Sequence, residues 1–306
     1  MNTLLVMNTS DKPLYLMPGE VISGGQQDRT IGQEIVIAPG KEPVPIDVFC
    51  VEYGRWSGRS ITSTTAQLAE AGGFGADLSI VVSATAPVEE LAEEAQRGTF
   101  VASVGQLNKD ARLAVQAAGE QGKVWEEVAK TNSKVGNDSD SGNFAANYTS
   151  GEVVEDFEPF VNELKSIGET KQIVGVAVAV NGKILAVDVY ESTPLFKKFW
   201  PKLLKSYVLD AVAAKDDSES IEKLKPIVAE DCIAFLKGLE ESAVETKLLA
   251  DGQKTDKRKS QEGTSFSYYD ADAASATETA GEGAAGGFGG GGGGFGGGVH
   301  ASAMAN

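Results

Sequence analysis

The chain is poor in the residues that build metal sites and covalent cross-links. Its 306 residues include two cysteines, Cys50 and Cys232, and one histidine, His300. The cysteines are far apart and have no metal-ligand spacing, so the sequence predicts neither a zinc site nor a disulfide framework. Such cysteine usage is typical of a reducing compartment. No residue pattern specifies a cofactor, and no metal site is predicted.

Positive charge is scarce as well, and long apolar runs are missing. The formal net charge is −17 and the pI is near 4.6. Because nucleic acids are bound through clustered Lys and Arg, we expect no nucleic-acid partner, although a small nucleotide held by one or two arginines fits the composition. The first residues carry no basic n-region, and no apolar window is long enough to span a membrane. We therefore expect a cytoplasmic protein with no membrane partner.

The sequence motifs of the commonest enzymes are absent too. There is no G-x-S-x-G elbow, no H-E-x-x-H motif and no kinase signature, so the usual hydrolases, metalloproteases and phosphotransferases are not supported. Cys50 would need a nearby base to act as a nucleophile, and the only imidazole belongs to His300 at the far end of the chain. A buried structural thiol is the favoured interpretation of Cys50.

The residues that are present predict a packed core. Hydrophobic residues make up 42% of the chain and charged residues 23%. Over residues 1–56, short apolar runs alternate with turn residues and predict an antiparallel β-meander. The predicted strands are Leu4–Met7, Leu14–Met17, Ile31–Ile37 and Val44–Cys50. Residues 57–75 are small and polar, which predicts a loop or lid.

Helical patterns follow over residues 85–170 and return later in the chain. The first predicted helices begin near Pro87, Asn108, Gly122 and Glu152, and the polar run Asn137–Gly142 predicts a loop between two of them. Another helix is expected from Thr193, with either a kink or a break at Pro201, and a last one over about Pro226–Leu248. A solvated loop is expected for the basic cluster Lys254, Lys257, Arg258 and Lys259.

The strongest structural signal is a hairpin within residues 173–190. Asn181-Gly182 joins two apolar runs, and both residues tolerate the positive φ of a type I′ turn. A two-residue loop places Val178 opposite Leu185. Because both faces of the hairpin are apolar, we expect it to be central and covered on two sides.

Together these patterns predict an α+β protein with one domain over residues 1–265. Its successive parts are a strand-rich 1–56, a mixed helical 85–170, and a hairpin with helices over 171–250. Beyond Asp270 the composition collapses to Ala, Ser, Thr and Glu and then to Gly, so residues 270–298 are predicted to form a disordered tail. Residues 299–306 regain apolar character and are a candidate terminal strand.

Polar and charged residues gather at both ends of the segment from Gly24 to Trp56. The candidate ligand-binding residues are Gln27, Asp28, Arg29, Glu52, Arg55 and Trp56. An arginine here is suited to grip a phosphate or carboxylate with two hydrogen bonds, which leaves a carboxylate as base or magnesium ligand. The alternative is structural: the charges form mutual ion pairs that fix strand ends, with Gln27 on backbone groups and Trp56 in the core.

Asp188 lies inside an otherwise apolar strand, where an unpaired carboxylate would be costly to bury. It needs donors or a metal, or it accepts from groups around Ser192 and Thr193 where the strand gives way to a helix. The catalytic candidates are therefore Asp28, Glu52 and Asp188. Gln121 and Trp125 are expected to serve helix packing and solvated surface, with Trp125 near a possible groove.

Several separated motifs occur in the same order as the motifs of one protein family. They are Gly24-Gly25-Gln26-Gln27-Asp28-Arg29, Cys50-Val51-Glu52, Gly54-Arg55-Trp56, Val124-Trp125, Gly175 to Asp188, and Phe199-Trp200-Pro201 to Ser206-Tyr207. Over about residues 1–250 the chain resembles the ARG and rhodanese-phosphatase-superfamily-associated protein family, with Val299-His300 as its displaced last strand. The resemblance implies a setting in NAD or ADP-ribose metabolism, and it implies no catalytic residue.

Three functions from different classes follow. The first is an accessory domain that binds a small phosphorylated or nucleotide-derived ligand around the candidate residues. The second is an enzyme acting on such a ligand with a carboxylate base or magnesium. The third is a structural or partner-binding protein whose charged residues only hold the strands together. All three functions are compatible with a protein partner.

Overall fold

A computed structural model describes residues 2–8, 10–24, 27–40, 42–54, 100–149, 151–215, 224–249, 252–270 and 298–306. These residues form helices and antiparallel sheets, which confirms the predicted α+β class. Several predictions lie outside the described residues: the loop at 57–75, the helix near Pro87, all but the end residues of the tail predicted at 270–298, and the candidates Arg55 and Trp56.

The chain divides into two compact units. Unit 1 comprises Met1–Glu163 and Lys202–Ala213, and unit 2 comprises Leu164–Pro201 and Ala214–Asn306. Two compact units of one chain can fold together or separately. The single domain over residues 1–265 therefore stays a prediction.

Unit 1 is built on a β-sheet. Its strands are β1 Asn2–Val6, β2 Leu14–Leu16, β3 Glu20–Gly24, β4 Arg29–Ile31, β5 Ile35–Ile37, β6 Val44–Cys50 and β7 Phe100–Gln106. Over the described residues, one antiparallel sheet has the order β1-β6-β4-β3-β7, and β2 pairs with β5. Leu4 of β1 lies opposite Ile46 of β6, and both are buried in the core. The period-two apolar pattern thus marks the face that packs inward.

The predicted strand Ile31–Ile37 is divided in the structure between β4 and β5. Gly32 separates the two strands, and its N–H donates to the Asp47 carbonyl oxygen at 2.7 Å. A Cβ at this position would lie 2.8 Å from the same oxygen, so only glycine allows this close approach. Beyond it, β5 pairs with β2 rather than with β6. The apolar alternation indicates strand on both sides of the glycine but not the change of partner.

The helices of unit 1 follow β7. They are α1 Lys109–Leu113, its π-helical continuation Ala114–Ala118, α2 Gln121–Lys134 and α3 Gly151–Leu164, with a 3-10 helix at Phe144–Tyr148. The helices predicted from Asn108, Gly122 and Glu152 are confirmed. Gly119 closes the π-helical turn with a φ of 61°, a left-handed conformation that glycine adopts without strain.

Asp210 anchors the start of α1. Its carboxylate accepts hydrogen bonds from Asn108 Nδ2 at 3.0 Å and from the backbone N–H of Lys109 at 2.9 Å. Burial raises the pKa of this carboxyl from 3.8 to about 6, although both hydrogen bonds act in the opposite direction. The folded chain therefore holds this proton more tightly than the unfolded chain does, which makes stability depend on pH.

Asp210→Asn is expected to remove that pH dependence. In the wild type, this carboxyl contributes most to the free energy of unfolding below pH 3.8, where it is protonated in both states. The contribution falls by about 3 kcal/mol as the pH rises to about 6. Urea unfolding of both proteins at intervals across this window measures the effect. The wild-type stability should fall relative to that of the variant, and a constant difference would contradict the assignment.

Unit 2 is built on a second antiparallel sheet. Its strands are β8 Gly175–Val180, β9 Lys183–Tyr190, β10 Val244–Leu248, β11 Lys254–Lys259, β12 Gly263–Tyr269 and β13 His300–Ala305. Among the residues placed by the structure, their order is β10-β11-β12-β13-β9-β8. The helix α5, Ala229–Glu240, packs on this sheet through a cluster that includes Phe235, Leu239 and Val187. β13 lies within the range predicted for a terminal strand.

The helix α4, Thr193–Ala213, begins in unit 2 and ends in unit 1. It begins where the sequence predicts, and Pro201 lies inside it rather than at its end. Of the two outcomes predicted at this proline, a kink or a break, the break is therefore wrong. The helix gains enough from its many other residues to tolerate the hydrogen bond that proline removes.

The predicted hairpin forms, but with a different register and position. Asn181 and Gly182 have φ values of 49° and 71°, which confirms the positive φ predicted for the turn. An irregularity after Val178 places Ala186 opposite it, so the predicted pairing with Leu185 is wrong. In the described sheet β13 occupies the other side of β9 and leaves β8 at the edge, with alternate residues exposed. The expectation that both sides of the hairpin are covered is therefore wrong.

The region after α5 also differs from prediction. The helix predicted over Pro226–Leu248 ends at Glu240, and the basic cluster predicted to be a loop forms β11. One of its lysines forms an ion pair with the neighbouring strand, since Lys257 Nζ lies 3.7 Å from a carboxylate oxygen of Glu245 in β10. Strands with charged side chains in solvent have no apolar alternation, so pattern analysis does not detect them.

Candidate functional site

Two carboxylates meet where β4 begins and β6 has ended. Asp28 precedes β4 and Glu52 follows β6, and the pairing of Arg29 with Cys50 sets the two acids side by side. The backbone N–H of Asp28 donates to Glu52 Oε2 at 3.1 Å. Asp28 is 0% exposed and Glu52 is 1% exposed. The structure thus brings two predicted site residues together and buries both.

Asp28 is held by three donors from two parts of unit 1, the end of β3 and the loop before the 3-10 helix. Its Oδ1 accepts from Ser23 Oγ at 2.9 Å and from the backbone N–H of Gly24 at 3.1 Å. Its Oδ2 accepts from Asn143 Nδ2 at 2.9 Å. Burial and the neighbouring Glu52 charge raise the pKa of Asp28, and these three hydrogen bonds offset part of that rise.

The Glu52 side of the network is closed by the loop before the 3-10 helix. Glu52 Oε1 accepts from Ser141 Oγ at 2.7 Å, and the Ser141 carbonyl oxygen accepts from the backbone N–H of Tyr53 at 3.0 Å. Gln27 Nε2 donates to the Glu52 carbonyl oxygen at 2.9 Å. Gln27 therefore satisfies backbone groups, the role it has in the structural interpretation of this segment.

Asn143 and Ser141 are site residues that sequence analysis missed. Asn143 also caps the 3-10 helix, because its Oδ1 accepts from the backbone N–H of Ala145 at 2.7 Å. The available signal is the run of Asn, Asp and Ser over residues 137–142, which predicts only a loop. Such side chains often hydrogen-bond nearby backbone, but the pattern does not indicate a distant carboxylate as a second partner.

Arg29 lies half-buried beside the carboxylate pair. Its Nη1 donates to Gln27 Oε1 at 3.3 Å and contacts the sulfur of Cys50. Cys50 is buried, and the side-chain amide of Gln121 in α2 makes two hydrogen bonds to the Cys50 backbone. Gln121 Oε1 accepts from the Cys50 N–H at 2.8 Å, and Gln121 Nε2 donates to the Cys50 carbonyl oxygen at 2.9 Å. The end of β6 is therefore fixed to the first turn of α2.

An aromatic surface adjoins this end of β6. Tyr53 is 66% exposed, and its ring stands edge-on to Trp125 with centroids 5.1 Å apart and an interplanar angle of 84°. Trp125 lies one turn after Gln121 on the same face of α2. Its indole Nε1 is buried without a hydrogen-bond partner among the described residues. An exposed ring and a buried donor thus lie next to the polar network.

Asp188, the third catalytic candidate, belongs to unit 2. Its Oδ1 lies 3.0 Å from His300 Nε2, and both residues are at most 1% exposed. The imidazole also packs on the Tyr190 ring, with centroids 4.5 Å apart. This pairing was missed because 112 residues separate the two partners, although the candidate terminal strand carrying the only histidine was the available signal.

Ser302 completes a hydroxyl, imidazole and carboxylate group on two neighbouring strands. It lies directly opposite Asp188, and its Oγ is buried without a hydrogen-bond partner in the part of the chain that the structure describes. These residue types match a hydrolytic triad, but a nucleophile must meet its substrate. Because Ser302 is only 1% exposed, the geometry favours a structural role for this group, in which the Asp188–His300 contact joins β9 to β13.

Within the described ranges no group of three or more His, Cys, Asp or Glu side chains is placed to hold a metal ion. Among the same residues, no helix has both the length and the apolar character needed to cross a bilayer.

Comparison with known proteins gives one match. The family model of the ARG and Rhodanese-Phosphatase-superfamily-associated Protein domain, ARPP-1, matches residues 1–278. The match includes the carboxylate network and Asp188, and it ends before β13. No curated protein and no solved structure matches the chain. The resemblance predicted from the separated motifs is confirmed, and the chain belongs to the ARG and Rhodanese-Phosphatase-superfamily-associated Protein domain family.

Proposed function

We propose that unit 1 is an accessory domain that binds a small phosphorylated or nucleotide-derived ligand where β4, β6 and α2 adjoin. The observation that carries the proposal is the exposed Tyr53 ring against Trp125, joined through Gln27 to the half-buried Arg29. An exposed aromatic ring offers a stacking surface for a base, and a guanidinium suits a phosphate. A nucleotide carries both groups.

The buried carboxylates have an indirect part in this proposal. Asp28 and Glu52 are too buried to touch a ligand in this structure, so they act as positioning residues. They help to fix the chain at Tyr53, because Glu52 precedes it and binds Ser141, whose carbonyl oxygen accepts from the Tyr53 N–H. A site whose supporting shell is already ordered loses less entropy when the ligand binds.

The ligand class is also supported by family membership. The family name records an association with the rhodanese-phosphatase superfamily. The resemblance also implies a setting in NAD or ADP-ribose metabolism, so ADP-ribose and NAD are the first ligands to try. An enzyme with Asp28 or Glu52 as base would need these side chains to become accessible.

A structural or partner-binding role is the second candidate. It is favoured by the completeness of the Asp28 network, in which both carboxylate oxygens accept hydrogen bonds from within unit 1. A closed polar network of this kind can serve to fix one arrangement of strands. Ligand titrations separate this role from the proposed one.

Tyr53→Ala is expected to weaken ADP-ribose binding about tenfold or more, because stacking on an aromatic ring contributes about 1–3 kcal/mol per base. Tyr53→Phe keeps the ring and should bind nearly as the wild type does. Arg29→Met should weaken ADP-ribose but leave adenosine, which has no phosphate, little changed. Isothermal titration of the full chain measures each affinity, with Tyr269→Ala in unit 2 as the matched control.

A thermal-shift screen with ADP-ribose, NAD, nucleotides and inorganic phosphate precedes the titrations. If none of them stabilises the wild type, the binding proposal fails and the structural role leads. If ADP-ribose binds but Tyr53→Ala binds it equally well, the ligand lies elsewhere and this placement of the site is wrong.

A further inference from the structure

Unit 1 contains a cavity that shares no residue with the site around Tyr53. It has a volume of about 230 Å³ and lies between α3 and the part of α4 that belongs to unit 1. The lining residues that matter here are Tyr148, Val154, Phe157, Glu158, Val161 and Lys205. Sites for drug-sized ligands span about 300–1,000 Å³, so this cavity suits a smaller molecule.

One wall of the cavity is apolar and ordered. Val154, Phe157 and Val161 follow one another at helical spacing, which places them on the same face of α3. The Phe157 ring also packs edge-on against the Tyr148 ring, with centroids 6.3 Å apart. The Tyr148 hydroxyl in turn donates to the Gln106 carbonyl oxygen, which fixes this end of the wall. Such a surface suits a short apolar group.

The lining also includes a lysine. Lys205 of α4 lies half-buried at the cavity, and burial lowers the pKa of its amine because the charged form is poorly solvated there. Glu158 is an acid among the lining residues, and its side chain is exposed to solvent. A carboxylate entering the cavity would meet the Lys205 amine in a less polar setting, where charge-assisted hydrogen bonds are stronger.

We propose that this cavity binds a small apolar molecule with one carboxylate, such as a short-chain aliphatic or monocyclic aromatic acid. Its apolar part packs on Val154, Phe157 and Val161, and its carboxylate accepts a hydrogen bond from Lys205 Nζ. This site goes beyond the proposed nucleotide-type site and can exist whether or not that site does. It gives unit 1 a second ligand of a different chemical class.

Titration of the full chain with hexanoate, 1-hexanol and hexylamine tests the proposal. These probes share one apolar chain and differ in the group that would meet Lys205. Hexanoate is expected to bind with a dissociation constant near or below about 1 mM, 1-hexanol at least about tenfold more weakly, and hexylamine more weakly still. Equal binding of all three, or no binding of hexanoate, would overturn the proposal.

Two variants locate the binding. Lys205→Met keeps a long apolar side chain and should weaken hexanoate about tenfold while leaving 1-hexanol unchanged. Val161→Phe fills the cavity and should abolish both, with Val154→Phe as a second filling variant if the first folds poorly. Lys130→Met, which removes an exposed lysine paired with Glu127, is the control and should bind hexanoate normally. Unchanged hexanoate binding in Lys205→Met would show that the carboxylate is held elsewhere.

Discussion

His300→Phe is expected to lower the free energy of unfolding by about 3–5 kcal/mol, because it breaks a buried polar pair. The carboxylate of Asp188 is 0% exposed and loses a partner at 3.0 Å, whereas solvent cannot reach it to compensate. Phenylalanine keeps a flat ring against Tyr190, so lost packing contributes little of the effect. The cost therefore reports on the polar pair itself.

Urea unfolding of three variants separates the pair from the strand. The double variant Asp188→Leu with His300→Phe should recover most of the lost stability, since it removes the buried carboxylate together with the imidazole that it contacts. Met304→Leu, a volume-conserving change at a fully buried position of the same strand, is the control and should cost less than about 1.5 kcal/mol. A single variant that costs no more than this control would show that the pair is not needed.

The Asp188–His300 pair depends on the order of the strands, which the sequence pattern does not predict. The Asn181-Gly182 turn is a local signal, since two adjacent residues supply the positive φ, and it was predicted correctly. Strand order is not local. β13 enters between β9 and β12 from the far end of the chain, and this insertion places β8 at the edge of the described sheet. No apolar period in residues 173–190 carries information about that insertion.

In the unit 1 site too, local features are predictable from the sequence, whereas contacts with distant residues are not. The sequence predicts Asp28 and Glu52 as residues of one site, and the pairing of β4 with β6 brings them together. Their partner Asn143 comes from a loop 115 residues beyond Asp28. The burial of Asp28 is not predictable either, since the groups that contact its carboxylate come from that loop and from the end of β3. The sequence thus indicates the location of the polar cluster but not whether it is open to a ligand.

Asp28→Ala is expected to lower the free energy of unfolding by about 4 kcal/mol, because it leaves three buried donors without their acceptor. These donors are the Ser23 hydroxyl, the Gly24 N–H and the Asn143 amide, and all three belong to buried residues. Burial and the neighbouring Glu52 charge raise the pKa of Asp28, and removing a carboxyl in this setting offsets part of the loss.

Asp28→Asn gives a graded comparison by the same unfolding measurement. Asparagine keeps the volume and one acceptor oxygen, but its NH₂ group faces a donor, so about half the cost of Asp28→Ala is expected. Asp140→Ala, an exposed acid in the loop that closes the site, should change stability by less than about 0.5 kcal/mol. A cost for Asp28→Ala close to that of Asp140→Ala would mean that the hydrogen bonds around Asp28 do not hold the strand ends. The positioning role proposed for the buried acids would then fail, whatever the outcome of the ligand titrations.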